Sequence, residues 1–353
     1  TMAINRSMPE ALLGMSGGVD SSVAVQLLKE AGYRVTGLTI LTGCLPGYTV
    51  DKARAVASRL DIDLIIIDSA ADFEEAVLRP VLEGYKQGLT PNPCILCNPA
   101  FKFSTLKAEA DKRGIEHIAT GHYAKVVASG GEHLIARGAS AANDQSYFLY
   151  RLPESIKSRL IFPLGSMHKA DIRRLASDMG LGYGEVRSSQ EACFIESGMR
   201  AWLKGRLPGM FAQGPAFDAA TGKLIGHHTG ALGLTLGQRK GHGVAAGKRA
   251  YITRIDPMQN AIYLGGIESY MIDEVAADDC VLTEAAAKLL KNGPARLKVK
   301  VRSSMEPVEA EVRLSGGTLC AKMAIPALVP APGQSLVCYC SDSAICGGVI
   351  SRA

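Results

Sequence analysis

One stretch near the start of the chain constrains its fold more than any other, and it reads Gly14-Met15-Ser16-Gly17-Gly18-Val19-Asp20-Ser21-Ser22. An apolar run at 11–13 precedes it and an amphipathic segment at 23–29 follows it. This order predicts a buried strand that turns directly into a helix. Glycines at such a junction let the backbone approach an anion, and the helix N–H groups and serine hydroxyls supply donors. The stretch therefore predicts a phosphate-binding loop.

Two alternatives to this interpretation have to be considered. A Gly-Gly pair alone would indicate only a tight turn, but three hydroxyls and an aspartate within seven residues favour an anion site. The loop has neither the Gly-Lys-Ser/Thr ending of a Walker A loop nor the Gly-x-Gly-x-x-Gly of a dinucleotide fold. Asp20 is open to three interpretations, since it orients the loop, approaches a metal, or simply caps the helix.

Strands alternate with helices over the first half of the chain. Strands are predicted at 33–41, 64–67 and 117–121, the second of them fully buried, and helices at 50–60, 73–85 and 101–113. This alternation predicts an α/β fold with a Rossmann-like parallel sheet. Gly121, His122 and Tyr123 would then lie at the carboxyl edge of the sheet, where ligands bind. His122 contacts ATP or a substrate base, or is merely hydrogen-bonded at a strand end.

Two cysteines, Cys94 and Cys97, lie in a segment whose three prolines predict a loop without regular helix, residues 88–99. Thiolates three residues apart can share a metal ion or cluster, and a third from elsewhere would complete the site. Cys193 is a candidate for that third ligand. Beside Phe194 and Ile195 it is equally interpreted as a small buried apolar residue.

The rest of the chain predicts two further domains. Glycine becomes frequent and periodicity weakens after residue 205, which predicts a small central domain over 197–249, following a catalytic domain over 1–196. Short alternating segments then predict a β-barrel over 250–353. In that barrel Cys338, Cys340 and Cys346 are interpreted as structural, with a second metal site as the alternative.

Composition bounds the class of protein. The chain is 47% hydrophobic and 21% charged, which is typical of a soluble globular protein. It shows no run resembling a signal peptide or a membrane span, and its nine cysteines are too few for a disulfide scaffold. These features predict a cytoplasmic protein without a membrane partner, a monomer or weak dimer. A net charge of +5 is too mild to prove a polyanionic partner.

The distribution of basic residues is more informative than the total. Segment 151–176 has six Lys/Arg against two acidic residues, and segment 196–249 has eight against two. Such clusters are explained by neutralisation of RNA phosphates or, alternatively, by solvated helix faces. The Gly-flanked turn Gln238-Arg239-Lys240 is the part assigned most readily to RNA.

The first loop resembles the Ser-Gly-Gly-x-Asp-Ser loop of the ATP pyrophosphatases. Further motifs resemble the tRNA-specific 2-thiouridylases, the MnmA family, in the same order and over nearly the whole chain. These motifs lie at residues 90–93, 97–98, 101–103, 119–124, 144–149, 162–165, 193–195, 226–230, 236–241, 331–334 and 347–350.

The resemblance implies ATP-dependent 2-thiolation of the wobble uridine of tRNA. The uracil C2 oxygen would be adenylylated, pyrophosphate would leave into the loop, and sulfide would displace AMP. ATP and Mg²⁺ are the implied cofactors, with tRNA and a sulfur donor as partners, the donor being a cysteine desulfurase, a relay protein or free sulfide. Nucleotide binding falls to residues 14–22 with Gly121 and His122. Lys102 and Gln145 join the 238–240 turn as implied RNA contacts.

The resemblance also implies that Cys97 and Cys193 handle sulfur. One chemistry uses a persulfide on Cys193; the other uses an iron-sulfur cluster. Cys94 stands where many members carry Asp, so Cys94, Cys97 and Cys193 are predicted to hold a [4Fe-4S] cluster with one open iron. Asn143 replaces a frequent Lys and Ser188 a frequent Asp. The rival functions are thiolation or amidation of a small molecule and a non-catalytic RNA-binding module.

Overall fold

The computed structural model describes residues 8–44, 48–180, 192–195, 198–245, 249–256 and 258–351, without the side chains of residues 48, 49 and 269. Ser188 and the 196/197 domain boundary lie outside these described residues. The chain divides into two compact units. The first comprises Thr1–Val77, Cys94–Ser188 and Asp342–Ala344, and the second comprises Leu78–Pro93, Ser189–Ser341 and Ile345–Ala353. Among the described residues, no helix is long and apolar enough to cross a membrane.

The first unit contains a five-stranded parallel sheet in the order β3-β2-β1-β4-β7. Its strands are β1 Glu10–Gly14, β2 Arg34–Leu41, β3 Asp63–Asp68, β4 His117–Thr120 and β7 Leu160–Ile161. The predicted parallel sheet is thereby confirmed. Strand β3 lies at the edge, so its apolar run is only half-buried and the expectation of full burial was wrong. The strand order reverses between β1 and β4, and in open α/β sheets the carboxyl ends of the strands at such a switch point are where ligands bind.

Helices cover both faces of this sheet. They are α1 Val19–Glu30, α2 Tyr48–Arg59, α3 Ala70–Phe73, α6 Phe103–Arg113, α7 Glu154–Lys157 and α8 Lys169–Asp178. Strand β1 illustrates how helices pack on both faces, because its successive side chains point to opposite faces of the sheet. Leu13 packs with Val23 of α1 and Ile172 of α8, whereas Leu12 packs with Leu106 of α6. Both faces are therefore apolar, as a parallel sheet requires.

The proline-rich segment is helical, so the prediction of a loop without helix over 88–99 was wrong in its second half. Helix α5, Pro93–Cys97, continues through a π-helical stretch, Asn98–Lys102, into α6. Pro93 occupies the first helical position, where its missing N–H is not needed. Pro99 falls within the π-helical stretch, whose wider turn accommodates a residue that a regular helix would not. A similar π-helical stretch, Glu74–Leu78, precedes helix α4, Arg79–Lys86, and its Pro80.

A hairpin completes the first unit. Strands β5, Ala124–Ser129, and β6, Glu132–Arg137, pair in antiparallel register. Ser343 and Ala344, which belong to the same unit, pair with Ala136 and Ile135 of the hairpin. The hairpin begins four residues after the last residue of β4.

The second unit contains a four-stranded sheet and a six-stranded barrel. The sheet has the order β10-β11-β8-β9, and the barrel closes through pairing of β12 with β17. The sheet is built from β8 Gly214–Asp218, β9 Leu224–His228, β10 Tyr251–Asp256 and β11 Ala261–Gly265. The barrel is built from β12 Met271–Leu282, β13 Ala295–Lys300, β14 Val308–Ser315, β15 Thr318–Leu328, β16 Ser335–Cys340 and β17 Ser343–Ile350. All of these residues belong to the second unit except Ser343 and Ala344, and helices α9 Met199–Arg206 and α10 Glu284–Lys291 also belong to it.

The predicted C-terminal barrel is confirmed, but residues 251–265 belong to the smaller sheet, because β11 pairs with β8 and β10 pairs with β11. In the barrel, Cys338 and Cys346 are buried whereas Cys340 is exposed. A hydrogen bond with the Cys346 thiol, together with burial, raises the pKa of Cys338. Because metal ligands must be thiolates, this neutral thiol fits the structural interpretation.

Candidate active site

The glycine-rich loop joins β1 to α1 at the strand-order switch point. Gly18 precedes the helix with extended backbone, and no side chain caps the helix there. The Ser21 and Ser22 hydroxyls donate to the Gly18 carbonyl oxygen at 3.0 and 2.9 Å, so they serve the helix itself. Ser16 is exposed, and its hydroxyl lies 3.4 Å from the Gly18 nitrogen. The backbone N–H groups and the Ser16 hydroxyl are therefore the donors best placed for an anion.

Two glycines allow close approaches that a side chain would prevent. Gly17 has a φ of +72°, and a Cβ there would lie 2.8 Å from the backbone nitrogen of Ala53 in α2. A Cβ on Gly121 would lie 3.0 Å from the carbonyl carbon of Asp20. The end of β4 therefore packs directly against the first turn of α1, and this contact brings the two predicted nucleotide-binding segments together.

Asp20 is the second residue of α1, and its carboxylate accepts three hydrogen bonds. Oδ1 accepts from Tyr123 Oη at 2.7 Å and from Lys169 Nζ at 2.8 Å, and Oδ2 accepts from Lys169 Nζ at 2.7 Å. The side chain makes no capping hydrogen bond. Sequence reasoning missed Lys169, which is 149 residues away; the only signal was its place in a basic segment.

Tyr123 and Lys169 also contact each other. The Lys169 ammonium lies 5.0 Å from the centroid of the Tyr123 ring, within the range of a cation–π interaction. Burial and the neighbouring Asp20 carboxylate raise the pKa of the Tyr123 hydroxyl. The phenol therefore remains protonated and acts as a hydrogen-bond donor to Asp20.

The His122 side chain is held at the end of β4. Its Nδ1 lies 2.6 Å from Thr120 Oγ1, and its ring packs against Phe103 and Phe162 at centroid distances of 5.6 and 5.8 Å. Burial, with a smaller contribution from the Lys102 charge, lowers the pKa of His122 well below its usual range. The imidazole is therefore neutral at pH 7, in agreement with the interpretation of His122 as a histidine hydrogen-bonded at a strand end. Its contact with ATP or a substrate base stays a prediction.

Gln145 has a structural partner that sequence analysis did not foresee. Its Oε1 accepts from the Tyr123 backbone N–H at 2.9 Å, and its own backbone N–H donates to the Tyr123 carbonyl at 2.9 Å. The preceding Asp144 is buried and accepts from the backbone N–H groups of Gly138 and Ser146. These contacts secure the segment after β4, while the RNA contact assigned to Gln145 stays a prediction.

Cys94 and Cys97 lie three residues apart on α5, and Cys97 is the more buried of the two. The next residue, Asn98, is buried and donates through Nδ2 to the Phe148 carbonyl at 2.8 Å. Asn98 Oδ1 has no hydrogen-bond partner among the described residues. Cys193 is exposed and belongs to the second unit.

A cluster site needs its ligands close together. Across the described ranges, no three His, Cys, Asp or Glu side chains are grouped so that they could hold a metal ion. The ligand set predicted for the cluster draws Cys94 and Cys97 from the first unit and Cys193 from the second, and it stays a prediction.

Comparison with known proteins decides the family. Residues 10–197 match the model of a tRNA methyl transferase HUP domain, 200–266 that of a tRNA methyl transferase PRC-barrel domain, and 273–350 that of an aminomethyltransferase beta-barrel domain. A tRNA-specific 2-thiouridylase MnmA from Thermus thermophilus is 36% identical, covering 98% of this chain and 95% of its own length. The chain belongs to the tRNA-specific 2-thiouridylase (MnmA) family.

Other MnmA relatives match equally broadly. A relative from Moorella thermoacetica is 36% identical, covering 96% of this chain and 98% of its own length. A relative from Bacteroides fragilis is 35% identical, covering 95% of this chain and 92% of its own length. A solved subunit of tRNA methyltransferase from Methanocaldococcus jannaschii shows a TM-score of 0.32 and 22% identity, covering 48% of this chain and 76% of its own. That likeness is too low to bear on fold or function.

In this MnmA-family chain, the turn assigned to RNA is stabilised by its own side chains. Gln238 accepts from the Thr235 backbone N–H at 3.1 Å and donates to the Lys240 carbonyl at 2.7 Å. The buried His242 ring lies 3.0 Å from the Arg239 carbonyl oxygen. Arg239 and Lys240 are exposed. Gln238 and His242 thus shape the turn, and the two basic residues are the ones available to a phosphate.

A second buried histidine secures the Gly226–Gly230 motif of the MnmA family. His228 is fully buried; its Nε2 lies 2.8 Å from the Asn260 carbonyl oxygen, and its Nδ1 accepts from the Gly230 backbone N–H at 3.0 Å. Burial is the main cause of a lowered pKa for His228. The neutral ring with a proton on Nε2 satisfies both partners, because Nδ1 can accept only when unprotonated.

Proposed function

We propose that this chain is an ATP-dependent enzyme that 2-thiolates the wobble uridine of tRNA. The observation that carries the proposal is the uncapped N-terminus of α1 at the β1/β4 switch point, within a chain whose relatives are named tRNA-specific 2-thiouridylases. Backbone N–H groups at the start of a helix bind phosphate, and replacement of a carbonyl oxygen by sulfur needs prior activation of that oxygen.

The chemistry runs in two steps. The uracil C2 oxygen attacks the α-phosphorus of ATP, a new P–O bond forms, and the bond to the β-phosphate oxygen breaks to release pyrophosphate. A sulfur nucleophile then adds at C2, and AMP leaves with the former carbonyl oxygen. Negative charge develops on phosphate oxygens in the first step, so preorganised N–H donors and the Mg²⁺ that arrives with ATP stabilise that transition state.

Residues of the first unit bind the nucleotide in this proposal. The backbone N–H groups of residues 16–20 and the Ser16 hydroxyl receive the β- and γ-phosphates. Gly121 allows the end of β4 to approach the loop, and the neutral His122 faces the nucleotide or the base. Asp20 orients the first turn of α1 through Tyr123 and Lys169.

Cys97 and Cys193 transfer the sulfur. A persulfide on Cys193 provides the terminal sulfur that attacks C2. Cys97 thiolate then attacks the inner sulfur, which releases 2-thiouridine and leaves a disulfide between the two cysteines. An external thiol reduces that disulfide, and an external sulfur donor restores the persulfide. The alternative carrier is the [4Fe-4S] cluster predicted on Cys94, Cys97 and Cys193, and no step here runs through it.

The tRNA binds through basic and polar residues of both units. Arg239 and Lys240 neutralise phosphates from a turn that Gln238 shapes, and Lys102 and Gln145 contact the RNA near the active site. The wobble base must leave the anticodon stack to reach the cysteines. Because its tRNA substrate and thiol chemistry both suit a reducing compartment, we place the activity in the cytoplasm.

The test measures pyrophosphate release and 2-thiouridine formation together. Purified protein with ATP, a donor that carries persulfide sulfur and unmodified tRNA should release pyrophosphate only when tRNA is present, and mass spectrometry of the tRNA should detect 2-thiouridine. Cys97→Ala should release pyrophosphate yet form no 2-thiouridine, whereas Cys340→Ala, which changes an exposed cysteine of the barrel, should behave as wild type. Pyrophosphate release with a small molecule in place of tRNA, or tRNA binding without any release, would replace the proposal with one of its rivals.

A separate measurement decides the sulfur carrier. After anaerobic purification, a cluster predicts about four iron and four sulfide per chain in the wild type and their loss in Cys94→Ala. Colourless, iron-free and fully active protein would establish the persulfide route.

A further inference from the structure

Lys169 is bound to the Asp20 carboxylate at the edge of the phosphate loop. Its Nζ lies 2.8 Å from Oδ1 and 2.7 Å from Oδ2, so one ammonium contacts both carboxylate oxygens. Tyr123 Oη donates to the same carboxylate at 2.7 Å. The Asp20 and Lys169 side chains are 33% and 25% exposed, so solvent screens this pair less than it screens a surface pair.

The position of Lys169 is not explained by the stability of its own helix. It is the first residue of α8, where the positive end of the helix dipole disfavours a cation. Asp20, in contrast, lies in the first turn of α1, where a carboxylate is favoured. The unfavourable interaction of Lys169 with its own helix dipole is therefore offset by its ion pair with a carboxylate on another helix.

An unpaired carboxylate at Asp20 would oppose the binding of a polyphosphate. Asp20 is two residues after Gly18, and the backbone N–H groups that follow Gly18 are part of the proposed phosphate site. Like charges a few ångströms apart repel even at the dielectric constant typical near a protein surface. A cation on Asp20 cancels that repulsion without removing the carboxylate from the loop.

We infer that Lys169 is a positioning residue for the nucleotide: it neutralises the Asp20 carboxylate and holds it, with Tyr123, so that a triphosphate can enter the loop. This inference rests on the proposed function, since it assumes that the loop binds ATP. Lys169 acts through Asp20 and does not itself contact the phosphates.

A double-mutant cycle tests this role. Calorimetric titration with magnesium and α,β-methylene-ATP, without tRNA, compares wild type, Lys169→Gln, Asp20→Asn and the Asp20→Asn/Lys169→Gln double variant. Lys169→Gln should weaken binding about tenfold, because it leaves one uncompensated negative charge near the phosphates. In the Asp20→Asn background, Lys169→Gln should weaken binding of the analogue by no more than about twofold, since no carboxylate remains to be neutralised.

Two controls separate this role from general loss of structure. Lys169→Arg keeps the charge and should bind within about threefold of wild type. Lys112→Gln removes another lysine ion pair of the first unit, that with Glu109 on α6, and should bind as wild type. Urea unfolding of each variant reports whether it is folded.

Three results would overturn the inference. Unchanged binding by Lys169→Gln would show that neutralisation of Asp20 is not needed. An equal loss in both backgrounds would show that Lys169 contacts the phosphates directly. A wild-type chain that binds no analogue would overturn both this inference and the proposed function, whereas the first two results leave the proposed function intact.

Discussion

Tyr123 Oη donates a 2.7 Å hydrogen bond to Asp20 Oδ1, and this contact ties the end of strand β4 to the first turn of helix α1. The Tyr123 backbone is itself bonded to Gln145, whose carbonyl accepts from the Phe148 backbone N–H. The Phe148 carbonyl in turn accepts from Asn98, the residue after Cys97. A continuous chain of contacts within the first unit therefore connects the cysteine helix with the phosphate loop.

Tyr123→Phe should lower the free energy of unfolding by about 1–2 kcal/mol, because it removes a partly buried hydrogen bond to a charged acceptor. Urea denaturation followed by circular dichroism measures the change. Tyr33→Phe is the matched control, since Tyr33 contacts His117 through its ring and loses little by the substitution. Equal stabilities of the two variants would contradict a stabilising role for the Tyr123 hydroxyl.

Gly17→Ala and Gly18→Ala should differ sharply although the residues are adjacent. At Gly17 the φ of +72° and the nearby Ala53 nitrogen oppose any Cβ, so we expect a loss of about 2 kcal/mol or more in the free energy of unfolding. Gly18 has a φ of −85°, and the nearest atom to an added Cβ is Ser16 Oγ at 3.4 Å. Its replacement should cost less than about 0.5 kcal/mol. Thermal and urea unfolding of both variants would show the contrast, and similar losses would argue against this loop geometry.

Stability should fall as the pH falls through about 6.5, the ordinary pKa of a histidine in the unfolded chain. Burial lowers the pKa of His228 in the folded protein, so below that pH the unfolded state takes up a proton that the folded state refuses. Urea unfolding at pH 7.5 and 5.5 measures the loss. His122 contributes in the same direction, so His228→Gln should reduce the pH dependence by up to about 1 kcal/mol without abolishing it. An undiminished dependence in that variant would exclude His228 as a source.

Asn98→Asp should destabilise the first unit by about 2–3 kcal/mol. The substitution replaces the Nδ2 donor with a second acceptor facing the Phe148 carbonyl and places a carboxylate at a buried position. Asn143→Asp is the matched control, because Asn143 is half-buried and donates to the Ser140 hydroxyl, which can also act as donor. Differential scanning calorimetry compares the two variants, and a small effect at Asn98 would show that its amide is not needed to secure the residue after Cys97.

Local sequence patterns predicted the alternating half of the fold well. The spacing of apolar residues and the positions of glycines do not depend on distant partners in the fold. Strands β1 and β4 and helix α1 were therefore found at their predicted positions. The loop assigned to 88–99 failed because proline rules describe a regular helix. Pro93 lies in the first turn of α5, where its missing N–H is not needed, and Pro99 lies in a π-helical stretch whose wider turn accommodates its ring.

In the candidate site, too, local sequence patterns predicted some features and only the tertiary structure revealed others. The sequence by itself determined the glycine-rich turn between β1 and α1, since its glycines and serines lie within seven residues. It also determined the family, through motifs in order along the chain. Only the tertiary structure decided that Lys169 and Tyr123 bind Asp20 and that Gln145 holds Tyr123. These pairs join residues 22 to 149 positions apart, and no local period records which side chains a parallel sheet and its crossing helices bring together.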